Sequence, residues 1–138
     1  MKKQLYAPIL ILEDSMVFKL KTSKRTMEIY KYIEKREHLQ PYILVKLSLA
    51  LAINAGYKYD GVLGDNAGLE LNRQTITNEY DVLFKALIQI NEKKHISEKD
   101  YFPGYIKAYI DYGAILLEQE YKYSSDFYVH LLELDKGI

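Results

Sequence analysis

The sequence predicts a mainly α-helical domain that opens with one short strand and two helices and is elaborated by about three further helices. Three observations predict it. Residues 16–21 form a short apolar run that ends with apolar and basic residues alternating one by one. A nearly unbroken apolar stretch is framed by Pro41 and Gly56, and apolar residues recur at helical spacing through most of the second half.

In a strand, successive side chains point to opposite faces, so Phe18 and Leu20 face one way while Val17, Lys19 and Lys21 face the other. Thr22 and Ser23 then offer N-cap oxygens to a first helix, in which Met27, Tyr30 and Ile33, with Ile29 alongside, form an apolar stripe ending near His38. In LQPYILVKLSLALAINAG, Pro41 suits the first helical turn and Gly56 suits the position past the helix end, where φ can turn positive. This second helix is apolar on nearly every side, which predicts burial all round. One thin domain wraps a helix poorly, so a second copy of the chain is expected to cover it. The strand argues the same way, because a lone strand leaves N–H and C=O groups unpaired and the same strand of a partner would satisfy them.

YKYDGVLGDNAGLELNRQTITN follows, a long loop marked by its glycines and Asp-Gly pair, with residues 69–76 as an extended piece. Thr77 or Asn78 caps a third helix over residues 79–94, with Tyr80, Leu83, Phe84, Leu87 and Ile88 on one face. HISEKDYFPG reads as a connector. A fourth helix, about residues 103–122, aligns Tyr105, Ile106, Tyr109, Ile110, Gly113, Leu116, Leu117 and Tyr121. Ser124 or Ser125 caps a last short helix carrying Phe127, Leu131 and Leu132. With no internal repeat and no low-complexity linker, residues 16–138 read as one domain and residues 1–15 as an N-terminal extension.

That extension, MKKQLYAPILILEDS, imitates a secretory signal, but it lacks a small-residue cleavage site and meets Glu13 and Asp14 at once. It is expected to stay in the mature chain as an extra strand or arm. The longest apolar run, residues 42–55, is broken by Lys46 and is shorter than the roughly 20 residues a membrane span needs. A soluble, cytoplasmic protein is expected. Zero cysteines exclude disulfides, thiolate metal sites, iron–sulfur clusters and a cysteine nucleophile.

A formal net charge of zero hides a polarity. Residues 1–58 hold eleven Lys and Arg against five Asp and Glu, whereas residues 59–138 hold eight against fourteen. One face suited to a polyanion is the implication, or else complementarity to a neighbouring subunit.

As an enzyme the chain offers little. His38, His95 and His130 are far apart, each in or beside a charged helix end, where solvated histidine is the ordinary role. His130 and Glu133 lie one turn apart, but no second pair completes a metal shell. DGVLGDNAGLE lacks both the calcium-loop order and the phosphate-loop lysine, and there is no Gly-x-Ser-x-Gly. No catalytic residue, metal or cofactor is expected, and Lys46 reads as a rim residue of its helix.

The strand carries the stronger signal. B-DNA's major groove accepts a two-stranded ribbon. Two copies of VFKLK paired antiparallel would project Lys19 and Lys21 together, while Ser23, Lys24 and Arg25 stand at a helix N-terminus suited to phosphate. The competing reading is an edge strand whose lysines only prevent aggregation.

The order of strand, KTS cap, helix, PYIL opening of an apolar helix, then LELNRQTIT, EYDVLFKALI and YIKAYIDYGAILLEQ resembles the DndE family of the bacterial DNA phosphorothioate modification system, over about residues 16–134. The resemblance implies a small, mainly helical protein with a ribbon-helix-helix-like start, assembling as a homotetramer. It also implies a non-enzymatic accessory role: binding duplex DNA, with a preference for nicked DNA, through surface lysines. The implied partners are a cysteine desulfurase, an iron–sulfur sulfurtransferase-like protein and an ATPase. The DNA-contacting face maps onto Lys19, Lys21, Lys24 and Arg25. The rival readings are a ribbon-helix-helix transcriptional regulator and a protein-interaction scaffold of the same system.

Overall fold

The computed structural model describes residues 18–124 and 126–133. It is mainly helical, with one two-stranded sheet near its start. The expected extension, residues 1–15, lies outside the described residues.

Strand β1 spans Lys19–Lys21, shorter than the residues 16–21 expected, of which 16 and 17 lie outside the described residues. Its burial alternates as predicted, Leu20 inward between two exposed lysines, although Phe18 is 37% exposed and does not share the cover of Leu20. Its partner differs from the expectation. β1 pairs antiparallel with β2 (Glu70–Asn72) of the same chain, in the register Lys19 to Asn72, Leu20 to Leu71 and Lys21 to Glu70. The ladder continues past both strands, with the Arg73 N–H donating to the Phe18 carbonyl at 2.7 Å and the Thr22 N–H to Leu69 at 2.9 Å. Hydrogen bonding of this strand therefore gives no argument for a second copy, because the chain itself supplies the partner.

Helix α1 (Lys24–Glu37) starts where the sequence placed it. The Ser23 hydroxyl accepts the Thr26 N–H, Ile29, Tyr30 and Ile33 are buried, and His38 closes the helix at φ 60°. Helix α2 (Pro41–Asn54) also has its expected ends, with Gly56 at φ 75° just beyond. It is not buried all round within the chain. Leu44, Val45, Ser48, Leu49 and Ala52 are buried, while Tyr42, Ala50 and Asn54 are exposed on the opposite side.

Of the residues 69–76 expected to be extended, only Glu70–Asn72 are strand. The Asn72 side chain accepts the Gln74 N–H and turns the chain into the single-turn helix α3 (Arg73–Ile76). A 3-10 turn (Asn78–Tyr80) leads into α4 (Asp81–Glu92). Thr77 does not cap α4 from in front; its hydroxyl donates to Asp81 Oδ1 at 2.7 Å inside the turn. Phe84 and Ile88 are buried, whereas Tyr80 and Leu83 of the expected apolar face are exposed.

HISEKDYFPG is more than a connector. It forms one helical turn (Glu98–Asp100) and a π turn (Tyr101–Tyr105) with a cis Phe102–Pro103 bond, and it buries Tyr101 and Phe102 completely. Helix α5 (Ile106–Tyr123) is the central element, packed on α1 and α2 with Ile106, Tyr109, Ile110, Gly113, Ala114, Leu117 and Tyr121 buried. Gly113 sets the approach of α5 to α2, since a Cβ there would stand 1.9 Å from the Ser48 carbonyl oxygen. Beside it the Tyr30 and Ser48 hydroxyls meet at 2.6 Å. The last helix, α6 (Phe127–Glu133), is capped by Asp126, which accepts the Tyr128 and Val129 N–H groups, and not by Ser124. Ser125 lies outside the described residues. Phe127 is buried and Leu131 partly so, but Leu132 is 75% exposed.

Candidate nucleic-acid interface

Lys19 and Lys21 on strand β1 and Lys24 and Arg25 in the first turn of helix α1 are all exposed. They are not electrostatically equal. Lys19 Nζ lies 3.6 Å from Glu70 Oε2 on β2, and Arg25 donates to Glu118 Oε1 of α5 at 2.6 Å. Lys21 and Lys24 make no ion pair with any described residue.

The N-terminus of α1, where the sequence suggested free N–H groups, is already partly occupied by side chains of its own chain. Asp111 Oδ1 accepts the Ser23 N–H at 3.1 Å and the Thr26 hydroxyl at 2.6 Å, and Asp65 Oδ1 accepts the Lys24 N–H at 2.8 Å. The positive end of the helix thus already holds two carboxylates of its own chain. Hydrogen bonds from the Ala67 N–H and then the Lys24 N–H hold the Asp65 carboxyl below the usual carboxylate range. Lys107 of α5, almost fully buried, ties the cluster together by donating to the Asp65 carbonyl at 2.8 Å and Asp111 Oδ2 at 2.9 Å. Phosphate contact on this surface is therefore left mainly to exposed side chains, since the Ser23, Lys24 and Thr26 N–H groups already have partners within the chain.

Three basic residues extend the surface beyond those expected. Lys31, Lys35 and Arg36 are exposed on α1. Lys24, Lys31 and Lys35 fall on one side of the helix, interrupted only by Glu28, because residues three and four apart stack along a helical face. Lys31 and Lys35 also line a shallow groove with His38 and Gln40 at the α1–α2 turn. The spacing 24, 28, 31, 35 in the sequence is the signal that places these residues on one face. Arg36 is partly committed, its Nε donating to the Tyr121 hydroxyl at 3.0 Å and its guanidinium lying 5.4 Å from the ring centre of half-exposed Tyr32.

Beside β1, a groove of about 570 Å³ is lined by Lys19, Leu20, Lys21, Leu63, Asn66, Glu70, Pro103 and Lys107. The glycine loop that forms one wall is held by ordinary turns, with Asp60 accepting the Val62 N–H and Asp65 the Ala67 N–H.

His38 and His95 are exposed, and His130 Nε2 lies 2.5 Å from Glu120 Oε2 on α5. Among the described residues no group of three or more His, Cys, Asp or Glu could hold a metal ion, and no helix is long and apolar enough to cross a membrane. Lys46 Nζ rests 5.2 Å above the Tyr42 ring at the rim of α2.

A family model described as DNA sulphur modification protein DndE matches residues 19–125, from the first strand to just past the end of α5. None of the curated proteins compared with the chain matches it.

Proposed function

The chain belongs to the DndE family of DNA sulphur modification proteins, and from that premise we propose that it acts there as a non-enzymatic accessory protein that binds duplex DNA, with a preference for nicked DNA, while partners perform the sulfur chemistry. The observation that carries this reading is the β1–α1 surface, on which Lys21, Lys24, Lys31 and Lys35 stand exposed without an ion pair to any described residue. Lysines on one strand and the helix it leads into can follow a phosphate backbone, and such contacts supply affinity without reading sequence. The chain has no cysteine with which to carry sulfur itself. That agrees with a helper working beside a cysteine desulfurase, an iron–sulfur sulfurtransferase-like protein and an ATPase. Assembly as a homotetramer is part of the proposal, and the open side of α2 is available for it.

The test is a pair of charge reversals, Lys21→Glu with Lys24→Glu, assayed by fluorescence anisotropy on intact and nicked duplexes and by light scattering. Lost DNA binding with an unchanged assembly supports the proposal. Undiminished binding overturns this choice of surface. A palindromic duplex outcompeting nicked, sequence-random DNA would favour a transcriptional regulator instead.

A further inference from the structure

The groove between β1 and the loop at residues 61–68 has a composition that an intact duplex does not use. Two lysines stand on its β1 wall, the side chains of Leu63 and Pro103 give it apolar surface, and the Asn66 amide adds a group able to both donate and accept. Leu63 is 40% exposed, an apolar side chain offered to solvent beside cationic ones. The groove's 570 Å³ falls within the span of small-molecule sites, about 300–1,000 Å³. Phosphates on an intact helix could engage the lysines alone. An unstacked nucleotide matches the whole groove, because it joins an anionic phosphate to a flat, largely apolar face with a hydrogen-bonding edge.

Resting on the DNA-binding reading above, we propose that this groove takes a single unstacked nucleotide of a DNA strand. Lys21 contacts its phosphate, Leu63 and Pro103 lie against its base, and Asn66 meets the base edge. Lys21 is the principal cation, since Lys107 is committed to Asp65 and Asp111 and Lys19 is shared with Glu70. Glu70 also lines the groove and opposes a phosphate there. The consequence is discrimination: a nick or gap frees a terminal nucleotide to enter, whereas an unbroken duplex must first pay for unstacking.

The experiment places 2-aminopurine at the 5′ side of a nick or one-nucleotide gap in a synthetic duplex and follows its fluorescence while anisotropy reports affinity. Fluorescence should rise on binding as the base leaves the stack, and the interrupted duplex should bind about tenfold tighter than the intact one. Leu63→Ser should bring that ratio to about one and abolish the rise, as loss of the apolar contact with the base requires. Glu70→Gln should tighten binding to interrupted DNA. Equal affinity for intact and interrupted DNA with no fluorescence change overturns the groove, and the preference for nicked DNA with it, while leaving duplex binding itself standing. An unaltered ratio in Leu63→Ser, or weakened binding in Glu70→Gln, also overturns it. Failure to bind any duplex overturns the DNA-binding reading and this inference with it.

Discussion

Asp111 and Thr26 are 85 residues apart in sequence and 2.6 Å apart in space, the Thr26 hydroxyl donating to the Asp111 carboxylate at the start of α1. The same carboxylate receives the Ser23 N–H and buried Lys107, so it fixes the strand-to-helix corner onto α5. Asp111→Ala would leave the Lys107 ammonium buried without its counter-charge, a change that costs about 3 kcal/mol. Urea unfolding should show that loss, and an effect under about 0.5 kcal/mol would mean that water replaces the carboxylate freely.

Gly113 has no room for a side chain. A Cβ would sit 1.9 Å from the Ser48 carbonyl oxygen, which is backbone and cannot swing away. Gly113→Ala must push α5 from α2 and disturb the Tyr30–Ser48 hydrogen bond. The expected cost is about 2–3 kcal/mol despite alanine's better helix propensity. A melting temperature equal to or above that of the parent chain would contradict this packing.

Arg73 is expected to make the fold acid-sensitive. Burial works against the Asp81 carboxylate, but hydrogen bonds from Arg73 and Thr77 outweigh it and hold the carboxyl below its ordinary range. Glu98 is likewise held low, burial being outweighed by its bonds from Lys85 and Arg73. Carboxyls depressed in the folded state stabilise it fully above their unfolded pKa of about 4, and that stability is lost as pH falls through the lower folded values. The melting temperature should therefore hold from neutral pH to about 4 and drop below it. Arg73→Met should melt lower at neutral pH and drop less steeply in acid; an identical acid profile would remove Arg73 from the explanation.

Lys31 and Lys35 give a fourth prediction. Lys31→Glu with Lys35→Glu should weaken duplex binding about tenfold or more while the melting temperature barely moves, because both side chains are exposed and without an ion pair to any described residue. Filter binding together with thermal unfolding checks both halves. Unchanged binding would confine the interface to the start of α1.

Local signals were legible in the sequence, and long-range ones were not. The ends of α1 and α2 follow from Ser23, Pro41 and Gly56, and the buried stripe of α5 from spacing alone. The partner of β1 lies some fifty residues on, in a three-residue strand too short for alternation to announce it. Asp65 and Asp111 reach the α1 terminus from 41 and 88 residues away, so a helix end that looked available to phosphate is partly occupied in the fold. Burial of α2 was overestimated because apolar composition tells how much surface wants cover, and not how much one chain can provide. Lys31 and Lys35 were legible as one face with Lys24 from their helical spacing.

Whether these lysines meet phosphate is decided by how DNA affinity depends on salt. If Lys21, Lys24, Lys31 and Lys35 of one chain each neutralise a phosphate, log affinity should fall against log salt with a slope of about −3 to −4, and Lys21→Glu with Lys24→Glu should make it shallower by about 2. A wild-type slope near zero, or a slope that those reversals leave unchanged, would contradict the assignment of this surface to DNA.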